Sequence, residues 1–191
     1  AAAKVSVSGD WEDYERTNIV GTQALLDAAI ERSISKFLYV SSPSVAHAGT
    51  ALIGEGNGAA SPEHARGNYA RSKATAELAV LAANGTKLAS GSTMRVGALR
   101  PHLIWGPGDT QLVERILDRA RSGRLPLLSG GTGLIDTLYI DNAADALVRG
   151  YERLESIAGR ALVVTNGQPR TIAELMSGFC TAVGVPAPRF S

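Results

Sequence analysis

A tyrosine and a lysine stand four residues apart in segment 68–73, whose sequence is NYARSK. Residues four apart share one face of a helix, so Tyr69 and Lys73 are expected to lie about one turn from each other. A free phenol, with a pKa of ~10, is a poor base at neutral pH, and a neighbouring ammonium lowers that pKa by favouring phenolate. The pair therefore predicts acid–base chemistry, against the alternative of a chance pair on an exposed helix.

Two serines follow the apolar run FLYV at 37–40. A continuous apolar run of this length is typical of a buried parallel strand. Ligands of doubly wound sheets bind at the carboxyl ends of the strands, so the hydroxyl of Ser41 or Ser42 is expected where a substrate oxygen could be bound. The alternative is a Ser-Ser-Pro turn that only ends the strand, and the Tyr/Lys pair favours the functional interpretation.

Alternating strands and helices are needed to position these side chains. Helical periodicity predicts a first helix over 11–32 and a second, carrying the Tyr/Lys pair, over 68–84. The alternation continues to the end of the chain and predicts an α/β fold, a Rossmann-like doubly wound parallel sheet. The other predicted strands are 36–41, 93–99, 125–128, 134–140 and 161–165, and the other predicted helices are capped by Asp109, Asp141 and Thr171.

The charge balance narrows the classes of partner. The 191 residues include 19 Lys+Arg and 18 Asp+Glu, a formal net charge of +1. No block of like charges is present, so neither nucleic acid nor an anionic membrane is predicted as the main partner. The apolar runs are far shorter than the ~20 residues that span a bilayer, and the first residues do not resemble a secretory signal. We expect a soluble, cytoplasmic protein.

The one cysteine and three scattered histidines argue against a metal site. The glycine-rich segment 46–67 has no periodicity and is a candidate lid. Within it, GEGNGA at 54–59 has the spacing of a dinucleotide fingerprint, but it follows no strand and opens no helix, and Glu55 stands where a pyrophosphate would sit. No serine lies in a G-x-S-x-G elbow, which argues against a hydrolase triad.

Five segments follow one another in a fixed order: NIVGT at 18–22, YVSSPSV at 39–45, Y-x-x-x-K at 69–73, LRPHLIWGPGD at 99–109 and YIDNAA at 139–144. Together they resemble the motifs of the extended short-chain dehydrogenase/reductases, in particular the 3β-hydroxysteroid dehydrogenase-like branch. Within that branch they are similar to sterol 4α-carboxylate 3-dehydrogenases and to bacterial 2-alkyl-3-oxoalkanoate reductases. The resemblance covers nearly the whole chain.

This resemblance implies an enzyme that uses NAD or NADP to interconvert the alcohol and ketone of an apolar small molecule, either sterol-like or a 3-hydroxy/3-oxo acid. It implies that Tyr69 exchanges the proton, that Lys73 holds the cofactor ribose and that Ser42 hydrogen-bonds the reacting oxygen. The implied cofactor contacts are Ala2, Ala3, Ser41, Tyr69, Lys73, Pro101 and Ile104. For segment 101–105, packing in the core is the alternative.

The resemblance also implies that part of the family's fold is missing from this chain. The family opens with a strand, a T-G-x-x-G-x-x-G turn and a helix that bind the pyrophosphate, and none of these is present. We therefore expect the chain to lack the first strands of the sheet and the residue that selects NAD or NADP. We expect 1–122 to be the remainder of the dinucleotide-binding domain with the catalytic residues, and 123–191 to be a smaller, mainly substrate-side subdomain.

Two other interpretations stay open. A nucleotide-sugar epimerase or dehydratase has the same fold and Tyr/Lys pair, but its substrate needs polar contacts, whereas HLIW at 102–105 is apolar apart from His102. A non-catalytic NAD(P)-sensing protein would not need the full set of Ser42, Tyr69 and Lys73. A homodimer is compatible with the resemblance.

Overall fold

Strands and helices alternate along the chain. The structure, a computed structural model, describes residues 3–5, 9–47, 57–126 and 128–188. The helices are α1 (Trp11–Tyr14), α2 (Gly21–Glu31), α3 (Gly67–Ala82), α4 (Val113–Arg121), α5 (Ile140–Glu152), α6 (Leu154–Ile157) and α7 (Ile172–Ala182). The strands are β1 (Lys36–Val40), β2 (Arg95–Pro101), β3 (Leu103–Trp105), β4 (Leu134–Ile135), β5 (Thr137–Tyr139), β6 (Ala161–Val164) and β7 (Arg170–Thr171).

Three apolar strands form one parallel sheet in the order β1-β2-β6. Val40 is opposite Leu99, so β1 and β2 end at the same edge of the sheet. The N–H of Ser41 continues the ladder beyond β1 and donates to the carbonyl oxygen of Leu99 at 2.7 Å. This Rossmann-like sheet with its α/β alternation confirms the predicted fold class.

Helices cover both faces of this sheet. On one face, Tyr39 and Val96 pack in a buried apolar cluster with Leu26 of α2 and Val80 of α3. On the other face, α5 and α6 approach β2 closely, because glycine leaves room where a side chain would not fit. A Cβ on Gly97 would lie 2.9 Å from Leu154 Cδ1, and one on Gly150 would lie 2.8 Å from Leu99 Cδ1.

The first predicted helix contains an irregularity that its periodicity does not reveal. Between α1 and α2, the segment Glu15–Val20 is a π-helix, in which the backbone hydrogen bonds skip one residue more than in an α-helix. Such segments are frequent at functional sites. Asn18 lies within it and contacts the helix that carries the Tyr/Lys pair.

The chain divides into two compact units, Ala1–Pro101 with Asp145–Val164, and His102–Ala144 with Thr165–Ser191. In the second unit, β3 pairs with β5 in parallel and β4 with β7 in antiparallel. Its core lies between α4 and α7, and Trp105 packs there with its ring centroid 5.0 Å from that of Phe179. The domain boundary expected after residue 122 stays a prediction.

One predicted strand is wrong, and another is divided in two. In segment 125–128, the described residues form no strand, and a 3-10 helix, Leu128–Gly131, begins at its last residue, with Ser129 and Gly130 at positive φ. The strand predicted over 134–140 is interrupted at Asp136, whose carboxylate accepts the N–H of Thr137 at 2.8 Å.

Other differences concern the ends of elements. Asp141 lies in the first turn of α5 instead of capping it. The strand predicted to end at Leu99 continues to Pro101 in β2, and β3 begins at Leu103, where no strand was predicted. Asp109 does accept the N–H groups of Gln111 and Leu112, but α4 begins only at Val113.

The described ranges contain no helix that combines the length and apolarity needed to cross a membrane. The same ranges contain no group of at least three His, Cys, Asp or Glu side chains that could hold a metal ion.

Thr171 is confirmed as the N-cap of α7. Its Oγ1 accepts the N–H of Glu174 at 3.1 Å, while the Glu174 side chain accepts the N–H of Thr171. Losing this cap should lower the free energy of unfolding by about 1 kcal/mol in Thr171→Ala, measured by urea unfolding. The matched control is Thr181→Ala at an exposed position of the same helix, expected within about 0.5 kcal/mol of wild type. Equal losses in the two variants would contradict the capping role.

Candidate active site

The helix α3 places Tyr69 and Lys73 on one face, as their spacing predicts. Small side chains at Ala70 and Ala74 are buried, which lets the helix lie close to the sheet. The Lys73 side chain is directed to the end of β1, where its Nζ donates to the carbonyl oxygen of Val40 at 2.6 Å. The ammonium group is therefore fixed at the carboxyl edge of the sheet.

Ser42 lies at the same edge, two residues after the end of β1. It caps the 3-10 helix Pro43–Ala46, and its Oγ accepts the N–H of Ser44 at 3.3 Å. Hydrogen bonding with the Ser42 side chain lowers the pKa of Tyr69, so the two hydroxyl groups face each other. The structure thus brings Ser42, Tyr69 and Lys73 together, and their catalytic roles stay predictions.

Burial, rather than the lysine, dominates the acidity of Tyr69. Desolvation raises the pKa of this phenol, and hydrogen bonding with Ser42 opposes the rise only in part. Lys73 is not among the causes of this shift, so the expectation that Lys73 lowers the pKa of Tyr69 is wrong. The phenol is protonated at neutral pH and is a proton donor in this state.

Lys73 is itself strongly perturbed. Only 5% of the residue is exposed, and desolvation lowers the pKa of its ammonium group to about 8, while the nearby Glu77 carboxylate opposes the lowering. Its Nζ lies 4.1 Å from the centroid of the Tyr39 ring, a distance suited to a cation–π contact.

A buried ion pair lies one turn further along α3. Glu77 and Arg100 of β2 are joined by two hydrogen bonds, Nη2 to Oε1 at 2.6 Å and Nε to Oε2 at 3.0 Å. Arg100 also donates to the carbonyl oxygens of Asn57 and Gly58, and the Asn57 side chain accepts the N–H of Val163. This network ties α3, β2, β6 and residues 57–58 together beneath the site.

Asn18 connects the π-helical segment to α3. Its side chain donates to Ser72 Oγ at 2.9 Å and makes two hydrogen bonds with the backbone of Lys4, one through Oδ1 and one through Nδ2. Ser72 in turn donates to the carbonyl oxygen of Tyr69 at 2.9 Å. The sequence motif NIVGT contains Asn18, but its spacing alone indicates no such role.

The predicted cofactor contacts are distributed unevenly. Ser41 is buried at the sheet edge, and its Oγ has no hydrogen-bond partner among the residues that the structure describes. Pro101 ends β2 at the same edge, whereas Ala3 is exposed. Ile104 belongs to the second unit, where it is exposed on β3, and Ala2 lies outside the described residues.

The candidate lid is described only in part. Residues 48–56 lie outside the described residues, and this range includes Gly54 and Gly56 of the dinucleotide-like spacing. The Arg100 guanidinium holds the carbonyl groups of Asn57 and Gly58, so the described end of this segment is attached to β2.

Comparisons with known proteins show which family this chain is similar to. A family model described as the 3-beta hydroxysteroid dehydrogenase/isomerase family matches residues 1–190. A 2-alkyl-3-oxoalkanoate reductase of Stenotrophomonas maltophilia is 42% identical over 190 residues, which is 96% of this chain and 56% of the relative. The decarboxylating sterol-4-alpha-carboxylate 3-dehydrogenase of Mus musculus is 30% identical over 190 residues, which is 96% of this chain and 51% of the relative.

A solved structure supports the fold. The dTDP-glucose 4,6-dehydratase of Streptomyces venezuelae, solved with NAD bound, matches with a TM-score of 0.78 at 23% identity, covering 100% of this chain and 59% of that chain. The chain spans about half the length of the curated relatives that it matches. Because the family model matches almost every residue, the chain belongs to the 3-beta hydroxysteroid dehydrogenase/isomerase family, a family of NAD(P)-dependent oxidoreductases.

Proposed function

We propose that the full-length protein containing this chain is an NAD(P)-dependent oxidoreductase that interconverts a secondary alcohol and a ketone. The observation that carries the proposal is the meeting of Ser42, Tyr69 and Lys73 at the carboxyl edge of the parallel sheet. A hydroxyl, a phenol and an ammonium group in this arrangement suit proton exchange with a reacting oxygen. Membership of a family of oxidoreductases supports the same reaction.

The residues at this edge fit a nicotinamide cofactor. Ser41 Oγ is a buried polar atom that lacks a partner within the described ranges, which is unfavourable unless a ligand supplies one. The Lys73 ammonium has three donors, and the part of the chain that the structure describes gives it one acceptor, the carbonyl oxygen of Val40. Its remaining donors suit ribose hydroxyls. Ala2, Ala3, Pro101 and Ile104 stay predicted cofactor contacts.

The mechanism follows from the protonation states of the site. When bound, the nicotinamide cofactor supplies the hydride for reduction or accepts it in oxidation. Tyr69, whose pKa is raised by burial, holds a proton that it donates to the ketone oxygen during reduction and takes back from the alcohol during oxidation. Ser42 hydrogen-bonds to the same oxygen and, through its hydrogen bond with Tyr69, stabilises the phenolate that Tyr69 leaves behind, while the Lys73 ammonium group would hold the cofactor ribose.

For the substrate, we propose a sterol-like alcohol or a 3-hydroxy/3-oxo acid with an apolar chain. The two relatives act on molecules of these classes by their names, an oxoalkanoate and a sterol carboxylate. The apolar segment 102–105 supports the proposal less than its sequence suggests, because Trp105 is used in the core of the second unit. Ile104 keeps an exposed apolar side chain.

A chain-length series tests this substrate class. Each methylene group buried in an apolar pocket adds about 0.8 kcal/mol, so kcat/KM for 3-oxo acids should rise up to about fourfold per methylene before it levels off. The measurement is the oxidation of NADH or NADPH by the full-length protein, with 3-hydroxysteroids assayed in the reverse direction. UDP-hexoses are the control and should not be converted.

Each other result has a clear meaning. Conversion of UDP-hexoses alone would replace the proposal by a nucleotide-sugar enzyme. A flat dependence of kcat/KM on chain length would contradict recognition of an apolar tail. Cofactor binding without turnover of any class would favour the sensing protein.

A further inference from the structure

The face of a buried aromatic ring lies under the ammonium group of Lys73. The Tyr39 ring centroid is 4.1 Å from Lys73 Nζ, well inside the distance of about 6 Å at which a ring face attracts a cation. Tyr39 stands on β1 one residue before Val40, whose carbonyl oxygen accepts from the same Nζ. One strand therefore supplies both contacts to the ammonium group.

The Tyr39 ring cannot easily move away. Only 7% of the residue is exposed, and it belongs to a buried apolar cluster with Leu26 and Ala29 of α2 and Ala76 and Val80 of α3. These contacts fix the plane of the ring, so its face is presented to Lys73 before any ligand binds. A ring placed by core packing positions a charge more reproducibly than a mobile side chain could.

The ammonium group needs such a contact because it is buried. Taking a charged amine out of water favours its neutral form, which cannot bind ribose hydroxyls as a cation. Within the described residues, the other titratable or charged groups around it are Tyr69 and Glu77 on α3 and Arg100 on β2, which is bound to Glu77. The Glu77 carboxylate is paired with Arg100, so its attraction for the Lys73 ammonium group is reduced. The Tyr39 ring face attracts the ammonium group independently of this ion pair.

We propose that Tyr39 is a positioning residue of the site, whose ring face holds the Lys73 ammonium group in its charged form against the carbonyl oxygen of Val40. The proposal concerns Lys73 as the cofactor-binding lysine and so rests on the proposed function. The phenol oxygen of Tyr39 has no part in it, because burial raises the pKa of this group and keeps it neutral.

Two substitutions separate the ring from the rest of the side chain. Tyr39→Phe keeps the ring and removes the hydroxyl, whereas Tyr39→Leu keeps an apolar side chain and removes the ring. The pKa of Lys73 is measured directly by NMR titration of the full-length protein carrying 13C-labelled lysine, with the signal assigned from Lys73→Met. We expect Tyr39→Phe to leave the pKa unchanged and Tyr39→Leu to lower it by about one pH unit.

The change should also appear in the reaction. The pKa of Lys73 is about 8, so at pH 8 about half of it is charged. A fall of about one pH unit leaves about one tenth charged, and kcat at pH 8 should drop about fivefold in Tyr39→Leu, with the alkaline limb of the pH profile moved to lower pH. At pH 6 the two variants should have similar kcat values, which a general loss of packing would not produce.

The outcomes distinguish the two proposals. An equal fall of the Lys73 pKa in both variants, or no fall in either, overturns the role of the ring. If Tyr39→Leu does not fold, as judged by circular dichroism, Tyr39→Met is measured in its place with the same expectation. If the Lys73 pKa falls only in Tyr39→Leu but the full-length protein has no oxidoreductase activity, the proposed function is contradicted and the role of the Tyr39 ring is supported.

Discussion

Tyr69→Phe should lower kcat of the full-length protein by about 10²–10⁴-fold, the usual contribution of a general acid–base residue. The substitution removes only the phenol oxygen, which carries the proton that is transferred in the proposed reaction. The affinity for NAD(P)H should change little, because the proposed ribose contact belongs to Lys73. The measurements are steady-state kinetics with the best 3-oxo acid or 3-hydroxysteroid and calorimetric titration with the cofactor.

The chain offers a matched control for this experiment. Tyr151 of α5 is half exposed and contacts Lys36 through its ring, so Tyr151→Phe also removes one hydroxyl from a tyrosine near a lysine. Its kcat should equal that of wild type. Near-normal turnover by Tyr69→Phe would remove this residue from the mechanism, and an equal loss in both variants would indicate damage to the fold.

The Tyr/Lys pair is predictable from sequence because its geometry is local. A spacing of four fixes a shared helical face wherever the helix packs. The apolar run ending in Ser41 and Ser42 likewise indicates the edge of a parallel sheet, and both expectations match the observed positions. The pKa of Tyr69 is less predictable, since burial decides its direction and burial depends on how α3 packs.

The remaining parts of the site depend on contacts between residues distant in sequence. Glu77 and Arg100 are 23 residues apart, and Asn57 and Val163 are 106 apart, so no local pattern reveals them. The spacing of four between Lys73 and Glu77 could have indicated a buried ion pair. It places a carboxylate on the buried face of α3, where a buried charge requires a partner. The break at Asp136 depends in the same way on a contact with the distant Gln168.

Glu77→Gln should lower the free energy of unfolding by about 3–5 kcal/mol, because it leaves the Arg100 charge buried without its counter-ion. The two side chains are 0% and 2% exposed, so water cannot replace the lost carboxylate. Urea unfolding of the full-length protein, followed by tryptophan fluorescence and circular dichroism, measures the loss.

A second Glu–Arg pair in the same unit is the control for burial. Arg95 and Glu155 are joined by a hydrogen bond of 2.9 Å, but their side chains are 38% and 65% exposed. Glu155→Gln should therefore lower the free energy of unfolding by only about 0–1 kcal/mol. Similar losses in the two variants would contradict the argument that burial makes the Glu77 pair important.

A double substitution separates the charge from the packing. In Glu77→Leu with Arg100→Met, no charge is left buried, and such replacements are often neutral or stabilising. Here the double variant should recover only part of the free energy of unfolding that Glu77→Gln loses, because the carbonyl groups of Asn57 and Gly58 no longer have Arg100 as a donor. If the double variant is less stable than Glu77→Gln, Arg100 stabilises the fold mainly through its hydrogen bonds to residues 57–58. That result would contradict the explanation of the Glu77→Gln loss by an unpaired Arg100 charge.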